Sequence, residues 1–234
     1  PKRKLFSSLN RTLGEGIARL LSNQVLAGRI EEQKRLLAQS EVKLLQAQIN
    51  PHFLFNALNT LAAVIRRDPE AARQLVQYLS TFFRKSLKRV GNEATLGDEI
   101  EHVDAYLHIE LARFADRLDV QFAVPDDLLP LRLPAFSLQP IVENAIKYGI
   151  SQMLDAGTIR ISAQRQAGVL TIVVEDSAGL YRPRPGGDGL GMNLVDRRIK
   201  IRYGAAYGIA VSCEPDCWTR VAIRLPVEEE LAPC

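Results

Sequence analysis

Apolar residues return at every fourth position through LLQAQINPHFLFNALNTLAAVI, residues 44–65: Leu45, Ile49, Phe53, Ala57 and Leu61. That spacing predicts a helix with one apolar stripe. Leu54, Leu58 and Ile65 widen the stripe beyond what a lone surface helix needs. Beside it runs a polar row one turn apart, Gln48, His52, Asn56 and Asn59. Carboxamides orient an imidazole without protonating it, so His52 is a candidate nucleophile. A hydrogen-bonded core or interface histidine is the plainer alternative. Pro51 removes a helical hydrogen bond just before His52, and a kink there is expected. The other reading has Asn50 capping a new helix that Pro51 opens.

Upstream, residues 5–48 read as nearly continuous helix, with Leu9, Leu13, Ile17, Leu20, Leu21 and Val25 on one face. Ile30, Leu37 and Leu44 then recur every seventh residue, a narrow seam that pairs most economically with its own copy. Downstream, Asp68-Pro69 signals a helix start and Gly91 a stop, which bound a helix over 69–90 and predict an antiparallel hairpin. Past Gly91 the pattern changes. Thr95 with Asp98 forms a capping box for a helix of about 20 residues, with Leu96, Ile100, Val103, Leu107, Leu111 and Phe114 facing inward. His102 and His108 on that helix read as surface or packing residues. Alternation predicts strands near 118–124, 158–163, 169–175, 207–213 and 218–225, and helices over 137–148 and 191–202. Residues 128–134 and 177–188 read as loops. The order suggests one sheet with helices on one face.

A hydrophobic content of 47% and a charged content of 24% describe a globular, not a disordered, chain. No apolar run approaches the roughly 18 residues that span a bilayer. The net charge of +3 conceals an asymmetry: residues 1–90 hold 16 Lys/Arg against 6 Asp/Glu, and the remainder 14 against 21. Aromatics do not interleave with the basic positions, so direct nucleic-acid binding is not expected; a solvated surface near a cytoplasmic membrane face is. Cys213, Cys217 and Cys234 are too few for a disulfide framework, and Cys213 and Cys217 flank a hairpin turn without a nearby histidine for zinc.

Three features in the C-terminal part belong together. Glu143, Asn144 and Lys147 sit on a helix from which a carboxamide and a cation can meet a metal-bound triphosphate. Asp176, in Glu-Asp-Ser-Ala-Gly at the end of a β-branched strand, can accept a hydrogen bond from the exocyclic amine of a base. Gly186-Gly187-Asp188-Gly189-Leu190-Gly191-Met192-Asn193 runs straight into a helix, where backbone N–H groups suit phosphate. Neither a P-loop nor a dinucleotide fingerprint is present.

His52 within QINPHFLFNALN, the Asn144 box, the Asp176 box and the GDGLGMNLV loop together resemble the core of LytS-type sensor histidine kinases, and within them the enterobacterial pyruvate-sensing members. The resemblance runs from about residue 30 to 226, and the preceding segment looks like the closing helix of a GAF-type sensor domain. It implies an α+β chain: a connecting helix over 1–30, a helical-hairpin dimerisation and phosphoacceptor domain over 31–91, a Bergerat (GHKL) ATP-binding α/β sandwich over 92–228, and a tail over 229–234. It implies ATP and Mg²⁺, with His52 as phosphoacceptor and Gln48 and Asn56 orienting it. Asn144 would hold Mg²⁺, Lys147 would touch phosphate, Asp176 would read adenine, and Tyr148 and Gly179 would belong to the nucleotide-binding set. Gly187, Gly189, Gly191 and Asn193 would line the phosphate loop. It further implies a homodimer through helices 5–90, a membrane-embedded parent protein at the plasma membrane, and a LytTR-type response regulator as phosphoryl recipient. A relay without kinase activity and a GHKL ATPase using Glu143 as base are the alternatives. Arg113-Phe114 also matches, without an assigned role. Three positions depart from the pattern: Tyr148 replaces a frequent histidine, the Asp176 box is short of Asp-x-Gly-x-Gly, and no acidic residue adjoins His52. Slow autophosphorylation is the expectation that follows.

Overall fold

A computed structural model describes residues 51–88, 93–182 and 189–227. The chain divides into two compact units, Pro1–Leu54 and Phe55–Cys234. The expected helix over 5–48, its seven-residue seam, Gln48, Gly91, Gly187 and the Pro51 kink or Asn50 cap all lie at, or depend on, positions outside the described residues.

Helix α1 spans Pro51–Val64. Phe53 and Ala57 are buried, whereas Leu58 (48%), Ile65 (54%) and Phe55 (68%) are exposed in the single chain. Part of the apolar face of this segment is therefore exposed. Asp68 caps helix α2, Pro69–Lys88, its Oδ1 accepting from the N–H groups of Glu70 (3.1 Å) and Ala71 (2.9 Å). The apolar face of α2 packs chiefly along helix α3, Leu96–Phe114. Tyr78 stacks on His108 at 4.1 Å, Phe82 stacks on His102 at 4.8 Å, and Lys85 pairs with Glu101.

The capping box opens α3 as expected: Asp98 N–H donates to Thr95 Oγ1 (3.0 Å) and Thr95 N–H to Asp98 Oδ2 (3.2 Å). Leu96, Val103 and Leu107 are buried, but so are Glu99, His102, Tyr106, Ile109 and Glu110. The helix is covered on more than one side, and a single inward stripe understated that. Strand β1, Glu93–Thr95, pairs antiparallel with β3, Arg132–Pro134. Sequence reading made the latter a loop, because three residues are too few for alternation to show.

The main sheet orders its strands β2, β4, β5, β7, β6, where β2 is Leu118–Ala123, β4 Gly157–Gln166, β5 Val169–Asp176, β6 Gly208–Glu214 and β7 Trp218–Pro226. β2 and β4 run parallel; the other neighbours are antiparallel. Ala167 (φ 49°) and Gly168 (φ 74°) make the β4–β5 turn, both in the left-handed region that two-residue hairpins require. Ile159, Ile161, Ile172, Val174, Ile223 and Leu225 form the buried face. The opposite face is half open and polar, with Arg220 hydrogen-bonded to Glu175 and Arg160 to Gln121. The expected arrangement, one sheet with helices on one face, is the one observed. Helix α4, Gln139–Asn144, continues into one π turn, Ala145–Gly149, and a 3₁₀ turn, Ile150–Gln152. Helix α5, Gly189–Tyr203, is tied to β6 by Asp196, which accepts from Ile209 N–H at 2.8 Å.

Candidate nucleotide site

Strand β5 alternates strictly, so Asp176 points to the same buried face as Leu170, Ile172 and Val174. Asp176 as a whole is 5% exposed. Oδ1 accepts from Ala178 N–H at 3.0 Å, and Gly179 N–H and the Thr219 hydroxyl also donate to the group. Thr219 is its cross-strand partner on β7. Desolvation outweighs these donors and lifts the carboxyl from 3.8 to about 6. Gly179 adopts φ +61°, and a Cβ there would lie 2.4 Å from the Glu214 carbonyl. Only glycine lets the β6–β7 turn close over this loop.

The opposite wall comes from α4 and its π turn. Ala145 N–H shares the Ile141 and Val142 carbonyls as the ladder widens, a defect that often marks functional sites. Asn144 is the last residue before it. Lys147 Nζ then lies 5.0 Å from the centre of the Tyr148 ring. Gly149 completes the turn against Asp176; a Cβ at this position would sit 3.0 Å from Oδ1. Between these walls is a cavity of about 720 Å³ lined by Asn144, Tyr148, Gly149, Asp176, Met192 and Thr219, with Tyr181 and Arg182 at the loop side. A carboxamide, a buried carboxylate and apolar walls make a chemically suitable set for a purine nucleotide with its metal-bound phosphates.

Asn144, Tyr148 and Asp176 therefore meet at one cavity. Gly179 supports it from behind. Gly189 and Gly191 open α5, and a Cβ on Gly191 would lie 3.0 Å from Pro140. Asn193 is exposed on the same helix, and Gly187 and Gln48 lie outside the described residues. His52 is exposed on α1, and Asn56 is half-buried with its carbonyl accepting from the Thr60 hydroxyl at 2.9 Å. Sequence reading missed Thr219, Gly149, Tyr181 and Arg182. Gly149 adjoins the Asn144 box and was legible by position; Thr219 emerges only from strand register.

Behind Asn144 the helices bury a polar cluster. Glu143 accepts from Gln139 Nε2 at 2.7 Å, and Arg113 Nη1 donates to Glu110 Oε2 at 2.9 Å. Desolvation raises the carboxyls of Glu143 and Glu110, and burial, with Glu110 beside it, pushes the Tyr106 hydroxyl well above its usual range. Arg113, without a role from the sequence, thus neutralises a buried carboxylate.

Comparison with known proteins shows what the chain resembles. Residues 40–118 match the family model described as Histidine kinase. The chain is 64% identical over 229 residues to the sensor histidine kinase BtsS of Escherichia coli K12, an alignment covering 98% of this chain and 41% of that protein. It is 40% identical over 168 residues to the sensor protein LytS of Staphylococcus haemolyticus (71% and 29% covered), and 32% identical over 237 residues to LytS of Bacillus subtilis (96% and 40%). Among solved structures, the catalytic domain of histidine kinase ThkA aligns with 59% of this chain and 97% of its own at a TM-score of 0.43 and 17% identity. Over nearly its whole length the chain is thus similar in sequence to sensor histidine kinases of the LytS type. It spans about two-fifths of the length of BtsS. Among the described residues no helix is long and apolar enough to cross a membrane.

Proposed function

We propose that this chain is the catalytic core of an ATP-dependent protein-histidine kinase. The observation that carries the reading is the buried Asp176 carboxylate facing Asn144 across one cavity, in a chain 64% identical to a sensor histidine kinase. Asp176, oriented by Ala178 and Thr219, accepts from the exocyclic amine of adenine. Asn144 offers a carboxamide oxygen to Mg²⁺. Lys147 and Tyr148 stand at the phosphates, with Gly179, Gly187, Gly189, Gly191 and Asn193 shaping the loop and helix start around them. Bound Mg²⁺ neutralises charge on the triphosphate; the residues hold and orient it, which is most of what phosphoryl transfer asks.

The His52 imidazole takes the γ-phosphoryl group: an N–P bond forms, the bridging O–P bond breaks and ADP leaves. Gln48 and Asn56 orient the ring. The phosphoryl group then passes to an aspartate of a response regulator of LytTR type. The domain division is 1–30, 31–91, 92–228 and 229–234, with a homodimer through helices 5–90. The parent is embedded in the plasma membrane with this part in the cytoplasm. The exposed Phe55 and Leu58 of α1, with Ile65 just past its end, support the dimer.

The test is incubation with γ-labelled ATP and Mg²⁺, wild type beside His52→Gln and Asn144→Ala. Acid-labile label in the wild type, lost in both variants, is expected. Label surviving in His52→Gln overturns the phosphoacceptor assignment. Phosphate release independent of His52 favours the ATPase, and bound ATP without label favours a relay.

A further inference from the structure

The helical layer contains a polar chain that the nucleotide reading does not use. His102 on α3 is fully buried. Its ring is stacked at 12° on Phe82 of α2 and met edge-on by Phe136 at 5.9 Å. His102 Nε2 lies 2.7 Å from Gln139 Oε1, and Gln139 Nε2 donates to Glu143 Oε1 at 2.7 Å. Glu143 adjoins Asn144, and the π turn begins at the next residue.

Direction runs through this chain. A carboxylate only accepts, so the amide of Gln139 turns its NH₂ to Glu143 and its oxygen to the imidazole, which then donates from Nε2. Each group sets the hydrogen of the next, and in a low-dielectric interior such a chain is stiffer than its separate bonds. Leucine and phenylalanine would fill the same volumes without desolvating polar atoms. The regular ladder also gives way just after Asn144, so the backbone alone holds that carboxamide less firmly than mid-helix.

We propose that His102 and Gln139 are positioning residues that fix the Glu143 carboxylate, and with it the Asn144 end of the cavity, in an orientation set by the seating of α2 on α3. The inference rests on the nucleotide reading above and deepens it. It assigns Glu143, whose Oε1 accepts from Gln139, to holding the metal-binding wall. It also makes Phe82 the point where α2 touches the chain, so a shift of α2 reaches the metal end of the cavity before the adenine end.

The test compares affinity for MgATP with affinity for ADP in EDTA, in the 234-residue chain. Variants are His102→Phe, Gln139→Leu, their double, and His102→Gln, whose amide still donates. Each single variant is expected to weaken MgATP binding about ten-fold, with ADP in EDTA unchanged, because one buried hydrogen bond is at stake. The double is expected to be no worse than either single, since both break one chain. His102→Gln is expected to restore most of the loss. Equal losses for both nucleotides mean a structural role and overturn the proposal, as do multiplicative singles or unchanged affinities. A wild type that binds neither nucleotide refutes the nucleotide reading, and the positioning role of His102 and Gln139 with it. A wild type that binds both while every variant matches it refutes the positioning role alone.

Discussion

Asp176→Asn is expected to stabilise the unliganded protein while weakening nucleotide binding. Burial lifts the carboxyl from 3.8 to about 6, which corresponds to about 3 kcal/mol between the two protonation states. The unfolded chain releases its proton near the ordinary value, while the folded chain holds it until about pH 6. This group's contribution is therefore most favourable at low pH, is lost as pH rises between those values, and above them leaves the full cost of a buried charge. Asparagine bears no such charge. Its oxygen still accepts from Ala178, and its NH₂ can face the Thr219 hydroxyl. Urea unfolding of both proteins between about pH 4.5 and about pH 7.5 should show the variant's advantage growing by about 2 kcal/mol. Glu110 and Glu143 also titrate upward, but they are common to both proteins and cancel in the difference. Over the same series ADP affinity should fall at least about ten-fold, the loss of a charged acceptor in a buried site. A stability difference that stays flat with pH would refute the reasoning, because the buried charge is its only source of slope.

Two further substitutions test the frame of the cavity. Gly179→Ala places a Cβ 2.4 Å from one backbone atom and 2.5 Å from another at φ +61°; strain and overlap should together cost about 3 kcal/mol or more, read as a lowered melting temperature. Glu99, fully buried, accepts from Phe136 N–H (2.8 Å) and Leu138 N–H (3.0 Å) at the start of α4. Glu99→Gln leaves one of those donors facing an NH₂, and calorimetry should find a loss of about 1–3 kcal/mol.

Where the physics is local, the sequence was enough. The Thr95–Asp98 box, the Asp68–Pro69 start and the alternation of β5 rest on contacts within a few residues, and each reappears where the spacing placed it. Asn144, Tyr148 and Asp176, singled out by motif order along the chain, line one cavity. Tertiary structure decided what depends on residues far apart in number. His102 became a fully buried link only because α2 lies on α3 and Gln139 approaches from 37 positions away. Thr219 joined Asp176 through strand register, and Gly149 became necessary because the π turn presses against that carboxylate. β1 and β3 pair over three residues each, too short for periodicity to reveal. An isolated stretch of sequence records the preferences of its own backbone; burial, register and the lifted proton affinity of Asp176 arise only once distant segments exclude water from one another.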